Sequence, residues 1–139
     1  MKPVFPAQLL LTAALCLTSG ALPQHASAAQ DVKVIEVTAK KYEYSPSPIH
    51  VKLGAKVQLK IAATDHAHGF KIAEFPDGSD NKGKPGLAFT SPQDCWKIEK
   101  GESATIEFVA QTPGTYSFNC CVRCGLGHGG MKGQLIVDP

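Results

Sequence analysis

Short runs of alternating apolar and polar residues, closed by glycine or proline, constrain this chain more than any other feature. Ile49-His50-Val51-Lys52-Leu53 alternates strictly and ends at Gly54; Val57-Gln58-Leu59-Lys60-Ile61 repeats the pattern. Further β-rich runs cover Val32 to Thr38, Ala104 to Val109, Gly114 to Asn119 and Gln134 to Val137, with Pro113-Gly114 marking a turn. A period of two puts successive side chains on opposite faces of a strand, so each run has one face to bury. Strands this short, punctuated this often, predict an all-β antiparallel sandwich or barrel without a convincing helix. The rhythm fails from Phe75 to Asp94, where prolines, glycines, lysines and aspartates predict a long polar loop. Such a loop is either a solvated insertion or a cover for a functional site.

The 139 residues suit a single domain. The start reads as an export signal: Lys2 is the only charge before Asp31, Leu9 to Leu17 is apolar, and Ala26-Ser27-Ala28 offers a cleavage site. A signal peptide at 1–28, cleaved, and a domain at 29–139 are therefore expected. The apolar run is shorter than the about 20 residues that span a bilayer. Leu15 before Cys16, where a small residue is wanted, argues against a lipid anchor. A monomer, periplasmic or secreted and with no membrane span after cleavage, is the expectation. A net charge of +2 without a basic stripe lacks the footprint of a nucleic-acid binder. No nucleophile–base pair or carboxylate cluster stands out, so the reading is not an enzyme.

Chemistry concentrates near the end, in Cys120-x3-Cys124-x3-His128-x2-Met131. Thiolate and thioether sulfur select copper(I), zinc or iron–sulfur clusters, and imidazole suits copper and zinc. Together with a methionine they point to copper used for electron transfer, because zinc sites seldom recruit methionine. A strand ending at Asn119 would carry Cys120 to one end of the sandwich, and glycines at 125, 127, 129 and 130 let the loop turn tightly. Another ligand must come from elsewhere, and Thr64 to Phe70 offers His66 and His68.

Ile49-x-Val51 with Gly54 and Val57, then Asp65-x-x-His68-Gly69-Phe70, then Gly114-Thr115-Tyr116-x-Phe118-x-Cys120, resembles the cupredoxin pattern. The resemblance runs from about residue 33 to 137 and implies a cupredoxin-like Greek-key β-sandwich. The ligand loop is most similar to the dinuclear CuA centre of cytochrome c oxidase subunit II and nitrous oxide reductase. That resemblance implies two coppers bridged by Cys120 and Cys124, with His68 and His128 as one ligand each. It also implies Met131 as a weak axial ligand and the Val122 carbonyl facing the other copper. A mononuclear type 1 site on His68, Cys124, His128 and Met131, holding one copper, stays open, as does a periplasmic copper chaperone or sequestering protein. The membrane helices of subunit II and the propeller of the reductase are not seen, which implies a free-standing carrier. Its redox partners would be cytochromes or a terminal reductase or oxidase.

Cys95 and Cys121 are left over in the CuA reading and could form a disulfide, Cys120 and Cys121 pointing to opposite faces of the strand. A Cys95–Cys120 bridge would instead remove the dinuclear site. Trp96 reads as core, and His50 as exposed.

Overall fold

The computed structural model describes residues 31–139; the expected signal peptide lies outside the described residues. Ten strands form two five-stranded sheets. They are β1 (Val32–Lys40), β2 (Glu43–Ser45), β3 (Ile49–Lys52), β4 (Lys56–Ala63), β5 (His68–Ile72), β6 (Leu87–Phe89), β7 (Trp96–Ile98), β8 (Ser103–Ala110), β9 (Gly114–Asn119) and β10 (Lys132–Asp138). One sheet has the order β2-β1-β4-β8-β6, the other β3-β10-β9-β5-β7. After β2 the chain passes between sheets at each connection until β9, and only the β1–β2 and β9–β10 links stay within one sheet. The fold is the all-β sandwich expected from the alternation.

Strand direction is where the expectation of an antiparallel sandwich has to be corrected. β1 pairs with β4 in parallel, and β3 with β10, while the other pairs are antiparallel. Period-two burial depends on which face meets the core, and a strand's direction leaves no mark on it. The crossing connections are what permit parallel neighbours, because a hairpin cannot make them. The loop expected over 75–94 also contains β6. With three residues, only the first of them fully buried, that strand is too short to display a period.

Each long strand turns one face inward. Along β4, Val57, Leu59, Ile61 and Ala63 are buried, facing a core that includes Phe70, Ile98, Phe118 and Leu135 of the opposite sheet. Trp96 is buried at 7% exposure, its ring 5.7 Å from Phe89 and 6.4 Å from Phe70. β9 and β10 occupy the middle of their sheet, with Lys132 opposite Asn119. The segment joining them therefore leaves the end of the sandwich with both stems held by β-ladder hydrogen bonds.

Leu59 is fully buried on β4, so Leu59→Ala removes transfer energy and leaves a cavity, an expected loss of about 2–5 kcal/mol. Val34, half exposed on β1, is the contrast: Val34→Ala should stay within about 0.5 kcal/mol. Urea denaturation measures both.

Candidate metal centre

Residues 120–131 form the loop between β9 and β10, closed at its base by a hydrogen bond from the Cys120 amide to the Met131 carbonyl, 3.0 Å. Inside it the chain turns twice, His128 N–H to Gly125 O at 3.2 Å and Gly130 N–H to Gly127 O at 3.0 Å, with a short 3-10 turn over His128–Gly130. Gly125 sits at φ +126°, where a side chain would be strained, and a Cβ at Gly127 would lie 2.0 Å from the Tyr42 ring. The glycines thus let the Tyr42 ring pack closely against the loop.

The loop turns its donors inward. Cys120, Cys124 and Met131 are buried at 2%, 3% and 1% exposure, and His68, at the start of β5, is fully enclosed. Cys124 Sγ is the hub: 3.4 Å from Cys120 Sγ, 3.5 Å from His128 Nδ1 and 3.7 Å from Met131 Sδ. Donor atoms of His68, Cys120 and Cys124 all lie within 4.8 Å of one another. The Cys120 thiol donates to the Val122 carbonyl at 3.0 Å, so that oxygen also faces the sulfurs. All six residues singled out from the sequence meet here, with His128 half-buried at the rim.

Two supporting residues were not assigned roles from sequence. Asp65 Oδ1 accepts from His68 Nε2 at 2.6 Å, which commits that nitrogen as donor and leaves Nδ1 with a lone pair. His68 Nδ1 is buried and has no hydrogen-bond partner. An orphaned buried acceptor beside two thiol sulfurs is the donor set of a copper or zinc site, and it fits a copper ion. The carboxylate–histidine arrangement also fixes the His68 tautomer, as outer partners of metal-bound histidines do. The signal for Asp65 was its spacing of three residues before His68. Tyr44 is the second: its hydroxyl donates to the Gly69 carbonyl at 2.5 Å, while the Gly69 amide donates to Cys120 Sγ at 3.3 Å. A Cβ at Gly69 would lie 2.6 Å from the Val122 nitrogen, so only glycine lets β5 approach the loop this closely.

Cys95 and Cys121 are joined in a disulfide with Cα atoms 5.9 Å apart. Cys120 and Cys124 are free, so the alternative pairing through Cys120 is not the one formed.

Charge at the site follows from this packing. Burial works to raise the Asp65 carboxyl, but bonds from His68, the Lys41 amide and His66 outweigh it and hold the group well below the usual carboxylate range. Burial, reinforced by hydrogen bonding and charge from Cys120, pushes the Cys124 thiol up to about 11 from 9.0. The Tyr44 hydroxyl is raised far above its ordinary value, first by burial and then by Cys120.

The cupredoxin-like domain model matches residues 8–137, and the chain belongs to that family. Cytochrome c oxidase subunit 2 of Thermus thermophilus is 30% identical over 103 residues, covering 74% of this chain and 64% of that protein. A second subunit 2 from that species is covered over 51% of its length, so the chain spans half to two thirds of these curated relatives. Among solved structures, auracyanin B is 22% identical with a TM-score of 0.55, over 77% of this chain and 89% of that one. A chain of a heme-copper terminal oxidase dimer is 19% identical with a TM-score of 0.54, over 94% and 78%. The two structures share this chain's fold. Likeness to subunit 2, first read in the ligand loop, extends over most of the sequence.

The sign of the Cys124 shift sets a pH dependence for the metal-free protein. Folding favours the protonated thiol, so that contribution is complete below about pH 9 and is lost as pH rises through about 11. The metal-free melting temperature should hold to about pH 9 and then fall, and Cys124→Ala should flatten the part of the fall that belongs to this thiol. Thermal scans of the two proteins across that range make the comparison.

Proposed function

We propose that this domain is an extracytoplasmic electron carrier whose copper is held by His68, Cys120, Val122, Cys124, His128 and Met131, as a dinuclear CuA-like centre. One observation carries the reading: two free, buried thiols stand with their sulfurs 3.4 Å apart while the other two cysteines of the domain are consumed in a disulfide. Copper bound there would supply a one-electron couple. The protein's own part is to hold the donors still. Both stems of the loop are in β-ladders, His68 is oriented by Asp65, and Cys120 receives the Gly69 amide. Burial of four of these side chains keeps water from the sulfurs, and half-buried His128 leaves a short route to the surface. The Cys95–Cys121 bridge supports a location where disulfides persist, periplasmic or secreted after removal of residues 1–28. Cytochromes or a terminal oxidase or reductase are the partners proposed. Among the described residues no helix is long and apolar enough to cross a membrane.

A mononuclear type 1 site is the second reading. It is favoured by Cys124 being the sulfur that touches both His128 and Met131. Serine substitutions separate the two. In the dinuclear reading Cys120→Ser lowers bound copper from two ions per chain to one and changes the thiolate-to-copper absorption. An unchanged spectrum and stoichiometry in Cys120→Ser would establish the mononuclear site instead. Under both readings Cys124→Ser loses the intense band, and its retention would remove Cys124 from the ligand set.

A further inference from the structure

The ladder between β5 and β9 stops short of the ligand loop: Lys71 pairs with Asn119 and Ile72 with Phe118, while Gly69 has no partner in β9. Two groups from elsewhere take up its backbone. The Gly69 amide donates to Cys120 Sγ at 3.3 Å, and its carbonyl accepts from the Tyr44 hydroxyl at 2.5 Å. Tyr44 reaches it from β2, in the opposite sheet. The Tyr44 ring is buried and meets Phe118 and Phe70 edge-on, with centroids 5.2 and 5.6 Å away. Those contacts fix where its hydroxyl points.

Gly69 needs such ties more than another residue would. Space forbids a side chain there, since a Cβ would lie 2.7 Å from Cys121 Sγ and 2.9 Å from the Cys121 nitrogen. Without a Cβ, the backbone has little steric preference of its own. What holds the Gly69 carbonyl therefore also sets the aim of the Gly69 amide. An N–H aimed at a cysteine sulfur stabilises negative charge on it, and hydrogen bonding around that sulfur is one lever on the potential of a copper site. We propose that Tyr44 is a positioning residue: through Gly69, its hydroxyl holds the backbone amide on Cys120 Sγ and so helps to set the reduction potential of the centre. The potential rests on the copper reading of that centre, but the hydrogen bonds themselves belong to the metal-free protein. Reduction adds electron density around Cys120, which a well-aimed amide stabilises. A loosened amide should make reduction harder.

The test compares Tyr44→Phe, which keeps the ring and loses the hydroxyl, with Tyr116→Phe. Tyr116 is the control because it too is buried, and its hydroxyl donates to the Thr112 carbonyl at 2.7 Å, before the opposite end of β9. Amide hydrogen exchange by nuclear magnetic resonance reads the metal-free protein. The Gly69 amide should be protected in wild type and in Tyr116→Phe, and should exchange about tenfold faster in Tyr44→Phe. Copper-loaded Tyr44→Phe should bind as many ions as wild type, with its thiolate-to-copper band displaced. Its equilibrium constant for reduction by a one-electron mediator should fall about three- to tenfold, a downward shift of up to about 59 mV. Three results overturn the proposal. Fast exchange of the Gly69 amide in wild type would mean that Cys120 Sγ does not hold it, and this measurement stands even where Tyr44→Phe fails to fold. Exchange or potential unchanged in Tyr44→Phe would make Tyr44 part of the packing only. Equal shifts in Tyr44→Phe and Tyr116→Phe would mean a general loosening of the sandwich. Failure of wild type to take copper at its thiols overturns the functional reading and the tuning role with it, while the exchange measurement still decides whether Tyr44 positions the amide.

Discussion

Two buried thiol sulfurs 3.4 Å apart set the terms for everything around them. Cys124 does not ionise easily, because burial and the neighbouring sulfur both disfavour its negative charge, and it is held protonated up to about 11. A soft cation is what makes two thiolates compatible there, since it supplies the charge that water would otherwise provide. Binding must displace protons, so metal affinity and acidity are linked through the same pair. The fold's task is to keep these two sulfurs together. It does so by clamping the ends of their loop between β9 and β10 in the middle of a sheet.

The disulfide is part of the same solution. Cys121 directly follows Cys120, and alternation turns its sulfur away from the pocket toward Cys95 at the entry to β7. Were Cys121 free, a third thiol would adjoin the pair and compete for metal or for oxidation. Bridged, it ties the ligand loop to the strand beside β5 and leaves the dithiol intact. Gly69 marks how tight the join is, because its missing side chain is what allows β5 to lie against Cys121 and Val122. Asp65 and Tyr44 then hold His68 and Gly69 from behind, one through an imidazole and the other through a carbonyl.

Much of this was legible in residue order, and the parts that were not share a cause. Alternation located β3, β4, β8 and β9 because each buries one face along its length. It was silent on the parallel pairing of β1 with β4, which depends on how crossing connections order the strands. β6 and β7, at three residues each, are too short to show a period. The four candidate donors of the loop stand out because they lie within twelve positions and combine residue types that few other sites need. Preferring His68 to His66 as the candidate ligand required the resemblance to a family, since nothing local separates the two. Tyr44 was invisible because its partner is 25 residues away and a tyrosine in a strand signals only a half-buried surface. The choice between Cys121 and Cys120 as partner for Cys95 turned on a distance between Cα atoms, which spacing alone does not carry.

The claim that rests most heavily on the thiol pair is that one electron is shared over two metal ions. Electron paramagnetic resonance of the copper-loaded domain, with metal content determined on the same sample, addresses it directly. The account predicts two coppers per chain and a hyperfine pattern split by two equivalent copper nuclei. One copper per chain, with splitting from a single nucleus, would contradict it and leave Cys120 outside the metal's coordination.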